Sequence, residues 1–240
     1  MSNENEKVED EQEAVLEVRL ATLKDNMIQN RIRAIDLSIS PGDLVVVERP
    51  IGLVKLPLAA GAVGLLNPDQ GSVLFQSSDW QKVTYRRKLQ LRTRIGRIYA
   101  HGGWIQNLTL FDNILLGPRH HTQQDEKSLN AKLQGLADTY ELELVNQRPA
   151  FVPPWKLRMF QWVRALINKP DLIVAEHPLD GVPSLHHDTV FRNEAKFRKL
   201  GGCTLWVTDS SEVIERAREI TAKIFRVSDE RLIPYEKEKP

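Results

Sequence analysis

The stretch GDLVVVERPIGLVKLPLAAGAVGLLNPDQG, residues 42–71, contains two apolar runs that are separated by a short polar loop. The first run, Leu44 to Val47, is typical of a buried strand. The second run, Leu56 to Leu66, is apolar on nearly every face and predicts a buried helix. The turn sequence Pro68-Asp-Gln-Gly71 marks the end of this unit. The stretch therefore predicts a strand, a tight loop and a buried helix in direct succession.

The loop between the two runs has the layout of a phosphate-binding loop, whose consensus is G-x-x-x-x-G-K-[ST]. Lys55 matches the lysine of that consensus, and Gly52 lies inside the loop. Arg49 and Val54 occupy the two glycine positions, and Leu56 occupies the Ser/Thr position. Any nucleotide contact is therefore expected from Gly52, Val54, Lys55 and Leu56. The alternative for Lys55 is a solvated or salt-bridged side chain.

The composition indicates one large domain without a nucleic-acid partner. The chain has 240 residues, 41% of them hydrophobic, and a formal net charge of +1, which argues against a basic nucleic-acid binder. Its one cysteine, Cys203, excludes a disulfide framework and fits a reducing compartment. We expect no signal peptide, and the longest apolar run is shorter than the roughly 20 residues of a membrane span. Residues 1–13 are predicted to be a disordered acidic tail, and residues 14–240 the folded domain.

The remaining segments alternate between strands and helices. The predicted strands are residues 16–23, 32–40, 44–47, 72–75, 95–99, 171–175 and 203–208, with a hairpin over 223–233 that turns at Asp229-Glu230. The predicted helices are 56–66, 85–94, 124–142, 155–166, 185–200 and 211–220, and Thr109 is the predicted N-cap of a helical region over 107–116. Residues 104–162 are thus expected to form a helical subdomain between two strands.

This order predicts an α/β fold with a parallel core sheet. In parallel sheets, ligands bind beyond the carboxyl ends of the strands. The loops after Val47, Tyr99, Ala175 and Thr208 are therefore expected to line one surface.

From about Leu16 to Tyr235, the order and spacing of the segments resemble those of an ABC transporter ATP-binding subunit, a P-loop NTPase-like protein. The segments that carry the resemblance are residues 42–71, RIGRIY from 94, NLTLFDNI from 107, RALINKPDLIVAEHP from 164 and LWVTDSSEV from 205. The loop from Tyr99 to Asn113 looks most like the Mla-type phospholipid transporters. The resemblance implies an N-terminal antiparallel β region beside the parallel core sheet. It also implies ATP and Mg²⁺ as cofactors and a membrane permease as partner.

Several positions depart from the family's pattern. Leu56 lacks the hydroxyl that binds Mg²⁺, and Ala100 replaces the glutamine that couples metal and water to the permease, with His101 beside it. The segment Val152-Pro-Pro-Trp-Lys156 replaces the L-S-G-G-Q signature, so it offers no N–H cradle for a phosphate bound by a second subunit. Pro183 replaces an aspartate that bridges two subunits.

The acidic and switch positions are altered as well. Glu176 replaces the metal-holding aspartate and is the candidate metal ligand. His177 replaces the general-base glutamate, and Asp209 replaces the switch histidine. Glu176, His177 and Asp209 are thus the candidate catalytic residues. Histidine can serve as a general base near neutral pH, so this change alone does not exclude hydrolysis.

These departures favour a degenerate cassette with a structural or regulatory role at the cytoplasmic face of a permease, as a homodimer or a heterodimer with a competent ATPase. The Mla-type resemblance suggests lipid as the cargo. The alternatives are a diverged but active ATPase and a soluble interaction module without a transporter. The candidates for binding the permease follow the glutamine position in the sequence and are Trp104, Ile105, Leu108 and Phe111. Their other interpretation is that they belong to the core of the helical subdomain.

Overall fold

The computed structural model describes residues 13–27, 29–53, 55–220 and 222–235. Its strands are β1 Leu16–Asp25, β2 Asn30–Ile39, β3 Leu44–Glu48, β4 Gln70–Phe75, β5 Ser78–Asp79, β6 Ile95–Ile98, β7 Leu172–Glu176, β8 Cys203–Thr208, β9 Lys223–Ser228 and β10 Arg231–Pro234. Its helices are α1 Pro57–Ala62, α2 Tyr85–Arg92, α3 Leu110–His121, α4 Glu126–Thr139, α5 Pro154–Leu166, α6 His187–Lys199 and α7 Ser211–Glu219. Apart from Glu13, the tail predicted over residues 1–13 lies outside the described residues.

The strands form two sheets, as the sequence predicts. One is antiparallel, with the order β2-β1-β4-β5. The other has the order β10-β9-β3-β8-β7-β6, and all its neighbours are parallel except the edge hairpin of β9 and β10. The predicted hairpin turn at Asp229-Glu230 is confirmed, and both turn residues have positive φ angles.

The parallel sheet is covered on both faces, which explains its continuous apolar strands. In β3, Leu44 and Val46 join the core on the helical side, whereas Val45 and Val47 join the core beneath the antiparallel sheet. Helices α3, α4 and α5 follow β6 and pack on one another before the chain enters β7. Thr109 caps α3 as predicted, because its hydroxyl accepts a hydrogen bond from the Asp112 amide.

The helix predicted over 56–66 is wrong in length, because α1 ends at Ala62. Gly64 then takes a left-handed conformation with φ +66°, and Leu65 is exposed rather than buried. Arg92 of α2 donates hydrogen bonds to the carbonyls of Val63 and Gly64, at 3.0 and 2.6 Å. This side chain caps the carbonyls that a longer helix would have bonded internally.

Two smaller differences concern the ends of elements. The helix predicted over 185–200 begins as a short 3-10 turn, Ser184–His186, before α6. The two-residue strand β5 was not predicted, because it is too short to carry a periodic pattern. Among the described residues, none of the helices combines the length and the apolar character that a membrane span requires.

Candidate functional site

The carboxyl ends of β3, β7 and β8 place the predicted site residues side by side. The Arg49 amide donates a hydrogen bond to the Thr208 carbonyl at 2.7 Å, and the His177 amide donates one to the Val207 carbonyl at 2.8 Å. The register pairs Glu48 with Thr208, so Arg49 and Asp209 leave their strands together. The predicted meeting of these loops at one edge of the sheet is therefore confirmed.

Asp209 connects two of these loops through its side chain. One carboxylate oxygen accepts a hydrogen bond from the Arg49 guanidinium, and the other lies 3.1 Å from His177 Nδ1. Burial lowers the pKa of His177, and the opposing effect of Asp209 is partly offset by the positive charge of Arg49. The imidazole is therefore neutral near pH 7, so its contact with Asp209 is not an ion pair at that pH.

Glu176, the candidate metal ligand, is held in a second pair that sequence reasoning missed. Arg97 Nη2 lies 2.6 Å from Glu176 Oε2, and the two side chains are only 11% and 5% exposed. Arg97 Nη1 also donates to the Ala59 carbonyl of α1 at 2.8 Å. The arginine inside the short strand IGRI is the sequence feature that could have predicted this pair, because a charged side chain in a buried strand needs a partner of opposite charge. Glu176 therefore neutralises Arg97 instead of facing an open space.

The loop that resembles a phosphate-binding loop keeps part of its backbone shape. Gly52 has φ +93°, a conformation that suits glycine. Lys55 is half-buried, and its carbonyl accepts a hydrogen bond from Asn30 Nδ2 at 2.7 Å. The Leu56 side chain is buried in the apolar core, and Pro57 opens α1 without an N–H to donate. Val54, the fourth predicted nucleotide contact, lies outside the described residues.

A cavity of about 200 Å³ adjoins these residues. It is lined by His177, Leu179, Asp180, Gly181, His187, Thr208, Asp209, Ser210 and Val213. Two of these residues are aspartates, which repel phosphate groups. The volume is also below the roughly 300–1,000 Å³ of typical ligand pockets. Within the described part of the chain, no group of three or more His, Cys, Asp or Glu side chains is arranged to hold a metal ion.

The segment at the position of the signature motif is packed against its own chain. Trp155 stacks on His186, with ring centroids 4.8 Å apart and an angle of 16° between the rings. Helix α5 begins at Pro154, and its N-cap residue Pro153 provides no side-chain cap. Prolines at both positions remove backbone donors from this helix end, so the segment cannot cradle a phosphate through successive N–H groups.

The four residues predicted to bind a permease are not equivalent. Trp104 is buried in the core, whereas Leu108 and Phe111 are half-buried. Ile105 is 45% exposed and is the one of the four that lines a surface cavity of about 320 Å³ between β6, α3 and α5. The structure thus brings Ile105 to an open groove, and it places Trp104 beneath that groove.

Arg164 of α5 gives this groove a positive charge. Its guanidinium lies 4.3 Å from the Trp104 ring centroid and 5.6 Å from that of Tyr99, and it donates to the Gly103 carbonyl. Burial lowers the pKa of Arg164 to about 10. Within the described residues, its buried Nη2 atom has no hydrogen-bond partner. The groove thus combines an apolar wall with an arginine that has unused donor capacity.

Comparisons with known proteins agree with this fold. No family model matches the chain. It is 23% identical to the intermembrane phospholipid transport system ATP-binding protein MlaF of Haemophilus influenzae, over 91% of this chain and 82% of that protein. It is 29% identical to the sulfate/thiosulfate import ATP-binding protein CysA of Bordetella pertussis, over 61% of this chain but only 42% of CysA.

Among solved structures, the dimeric structure of MJ0796, a bacterial ABC transporter cassette, superimposes with a TM-score of 0.82. That match has 19% sequence identity and covers 94% of this chain and 99% of the cassette. A match of this extent establishes the fold, including both sheets. The chain therefore has the fold of an ABC ATPase cassette, and its sequence resembles the ATP-binding subunits of ABC transporters, MlaF among them.

Proposed function

We propose that this chain is a subunit of an ABC-type transporter complex that has kept the cassette fold for a structural or regulatory role. In this proposal it does not drive transport through its own nucleotide site. It lies at the cytoplasmic face of a permease and pairs with a second cassette, either another copy of itself or a competent ATPase. The likeness to MlaF supports lipid as the cargo of that complex.

The observation that carries the proposal is the pair of arginines at the carboxyl edge of the sheet. Arg97 neutralises Glu176, the carboxylate expected to hold a metal ion, at 2.6 Å in a nearly buried pair. Arg49 binds Asp209, which replaces the switch histidine. The Arg97 guanidinium thus provides the positive charge that a metal ion would otherwise bring to Glu176. The residues present do not fit a site for ATP with Mg²⁺.

Loss of several catalytic groups supports the same proposal. Loss of general acid–base catalysis alone costs roughly 10²–10⁴-fold in rate. This chain also lacks the side-chain hydroxyl that would bind Mg²⁺ at position 56, the glutamine at position 100 and the signature segment. The apolar strands around them are fully buried, so the fold is maintained where the chemistry is not.

One contact favours the alternative of a diverged ATPase. His177 is a neutral imidazole whose Nδ1 lies 3.1 Å from an Asp209 carboxylate oxygen, a contact that can orient a general base. ATP hydrolysis by the purified chain distinguishes the two functions. We expect no phosphate release above background, and the same rate from Lys55→Ala and His177→Ala variants. Release that depends on both residues would show that the site works.

The proposed permease contact is the groove beside Ile105. Its apolar wall includes Ile105 and Leu116, and Arg164 supplies a positive charge for an acidic or carbonyl group of the partner. A short amphipathic helix that buries its apolar face is the kind of segment that such a groove accommodates.

Affinity purification of the tagged chain from detergent-solubilised membranes tests this contact. We expect a multi-span membrane protein to co-purify with the wild type and to be lost from Ile105→Glu and Leu116→Glu variants. Leu65→Glu is the matched control, because Leu65 is also exposed but does not line the groove. A chain that never enters a membrane complex would instead be a free interaction module.

A further inference from the structure

A larger cavity, of about 480 Å³, lies at the opposite end of the parallel sheet. Asp171 and Gly202, which precede β7 and β8, contribute to its wall. The candidate nucleotide residues follow the other ends of the same strands, which is roughly 17 Å away at about 3.3 Å per residue. The cavity is therefore separate from both the nucleotide edge and the groove beside Ile105.

The interior of this cavity is mainly apolar. It is lined by Leu136, Thr139, Tyr140, Leu166, Lys169, Pro170, Asp171, Asn193, Lys196, Phe197, Leu200, Gly201 and Gly202. The Tyr140 hydroxyl is fully buried and has no hydrogen-bond partner within the described residues.

The charge at the rim of the cavity is positive. Lys169 and Lys196 line it and are exposed, and neither forms an ion pair with another described residue. The pKa of nearby Lys132 is lowered by burial and by the positive charge of Lys169, so these two lysines lie near each other.

The neighbouring carboxylates do not cancel this charge. Asp171 is bound by the guanidinium of Arg94 and by the Gln76 amide, the latter at 2.6 Å. Glu194 is buried and paired with Arg198 at 2.8 Å. Each acid is thus matched by its own partner, and the two rim lysines remain available to an anion.

We propose that this cavity binds a small amphipathic carboxylate, with its apolar body against Leu136, Leu166 and Phe197 and its carboxylate between Lys169 and Lys196. The volume is within the roughly 300–1,000 Å³ range of small-molecule sites, which combine an apolar lining with a few polar groups. A medium-chain fatty acid has this chemistry. The site does not depend on the permease contact or on the nucleotide edge.

Isothermal titration of the full chain with octanoate tests the proposal, and 1-octanol is the uncharged comparison. We expect saturable binding of octanoate with one site per chain and weaker binding of the alcohol. The double variant Lys169→Glu/Lys196→Glu should weaken octanoate binding by about tenfold or more, because two attractive charges become repulsive. It should leave octanol binding unchanged.

Lys199→Glu is the matched control, since Lys199 is exposed on the same helix but does not line the cavity. Leu200→Glu provides an independent test, because Leu200 is 81% exposed and its replacement adds a negative charge at the rim without disturbing the core. The two rim variants, Lys169→Glu/Lys196→Glu and Leu200→Glu, should have the same melting temperature as the wild type. No saturable heat with octanoate, or equal affinity in the wild type and the double variant, would overturn the proposal.

Discussion

Arg97 and Glu176 form the most enclosed ion pair at the candidate site, with side chains that are 11% and 5% exposed. Removing one partner of a buried pair leaves an unpaired charge and costs about 3–5 kcal/mol. We therefore expect Glu176→Leu to lower the free energy of unfolding by that amount in urea denaturation. The reason is that Arg97 would keep only its bond to the Ala59 carbonyl and its contact with the Tyr99 ring.

The exposed pair of Arg19 and Glu17 is the control for this experiment. Exposed pairs contribute about 0–1 kcal/mol, so Arg19→Ala should have little effect. Equal small losses from Arg19→Ala and Glu176→Leu would show that Glu176 is not held in a buried pair.

His177 should make stability depend on pH. Its pKa in the folded chain is lowered, so below the unfolded value of about 6.5 the unfolded state binds the proton first. The contribution of the neutral imidazole is fully present above that value and is lost as the pH falls through the folded pKa. His177→Gln should therefore reduce the loss of stability between about pH 7.5 and about pH 5. Urea denaturation at both pH values measures the difference.

His101→Gln is the comparison, because His101 is exposed in a loop. If it flattens the pH dependence as strongly as His177→Gln does, the effect does not arise from burial of His177.

At the scale of elements, the end of α1 depends on Gly64 and on the side chains around it. A Cβ at Gly64 would lie 2.3 Å from the Trp80 ring, and the residue already has a left-handed φ. We expect Gly64→Ala to destabilise the fold by at least about 1–3 kcal/mol, because the buried Trp80 has no room to move.

Gly135 provides the opposite case in α4. A Cβ there meets no atom within 4 Å, so Gly135→Ala should be neutral or stabilise by up to about 1 kcal/mol. Thermal unfolding of both variants measures the contrast. Similar behaviour of the two would contradict this account of how α1 ends.

Helix α1 shows why sequence reasoning succeeds in part. Apolar runs and turn residues predict the order of strands and helices, because the hydrophobic period and the turn residues are local properties of the sequence. The end of α1 is set by Arg92, which is distant along the chain and contacts the Val63 and Gly64 carbonyls. Such a contact leaves no periodic signal, so the predicted helix was too long.

At the scale of the whole molecule, the fold was predictable and the pairing within the site was not. The ordered loops indicated that Glu176, His177 and Asp209 would meet at one edge. Which cation each acid would bind depended on side-chain geometry across four strands. Arg97 lies on β6 and Arg49 follows β3, and neither spacing identifies its partner. Two arginines within the nucleotide edge are the feature that the structure adds.

The central claim is that this edge has been closed by internal ion pairs and no longer binds nucleotide. Equilibrium titration of the purified chain with a fluorescent ATP analogue and Mg²⁺ tests it most directly, with Lys55→Ala measured in parallel. We predict no saturable binding by either protein. Tight, Mg²⁺-dependent binding by the wild type that Lys55→Ala abolishes would contradict the account.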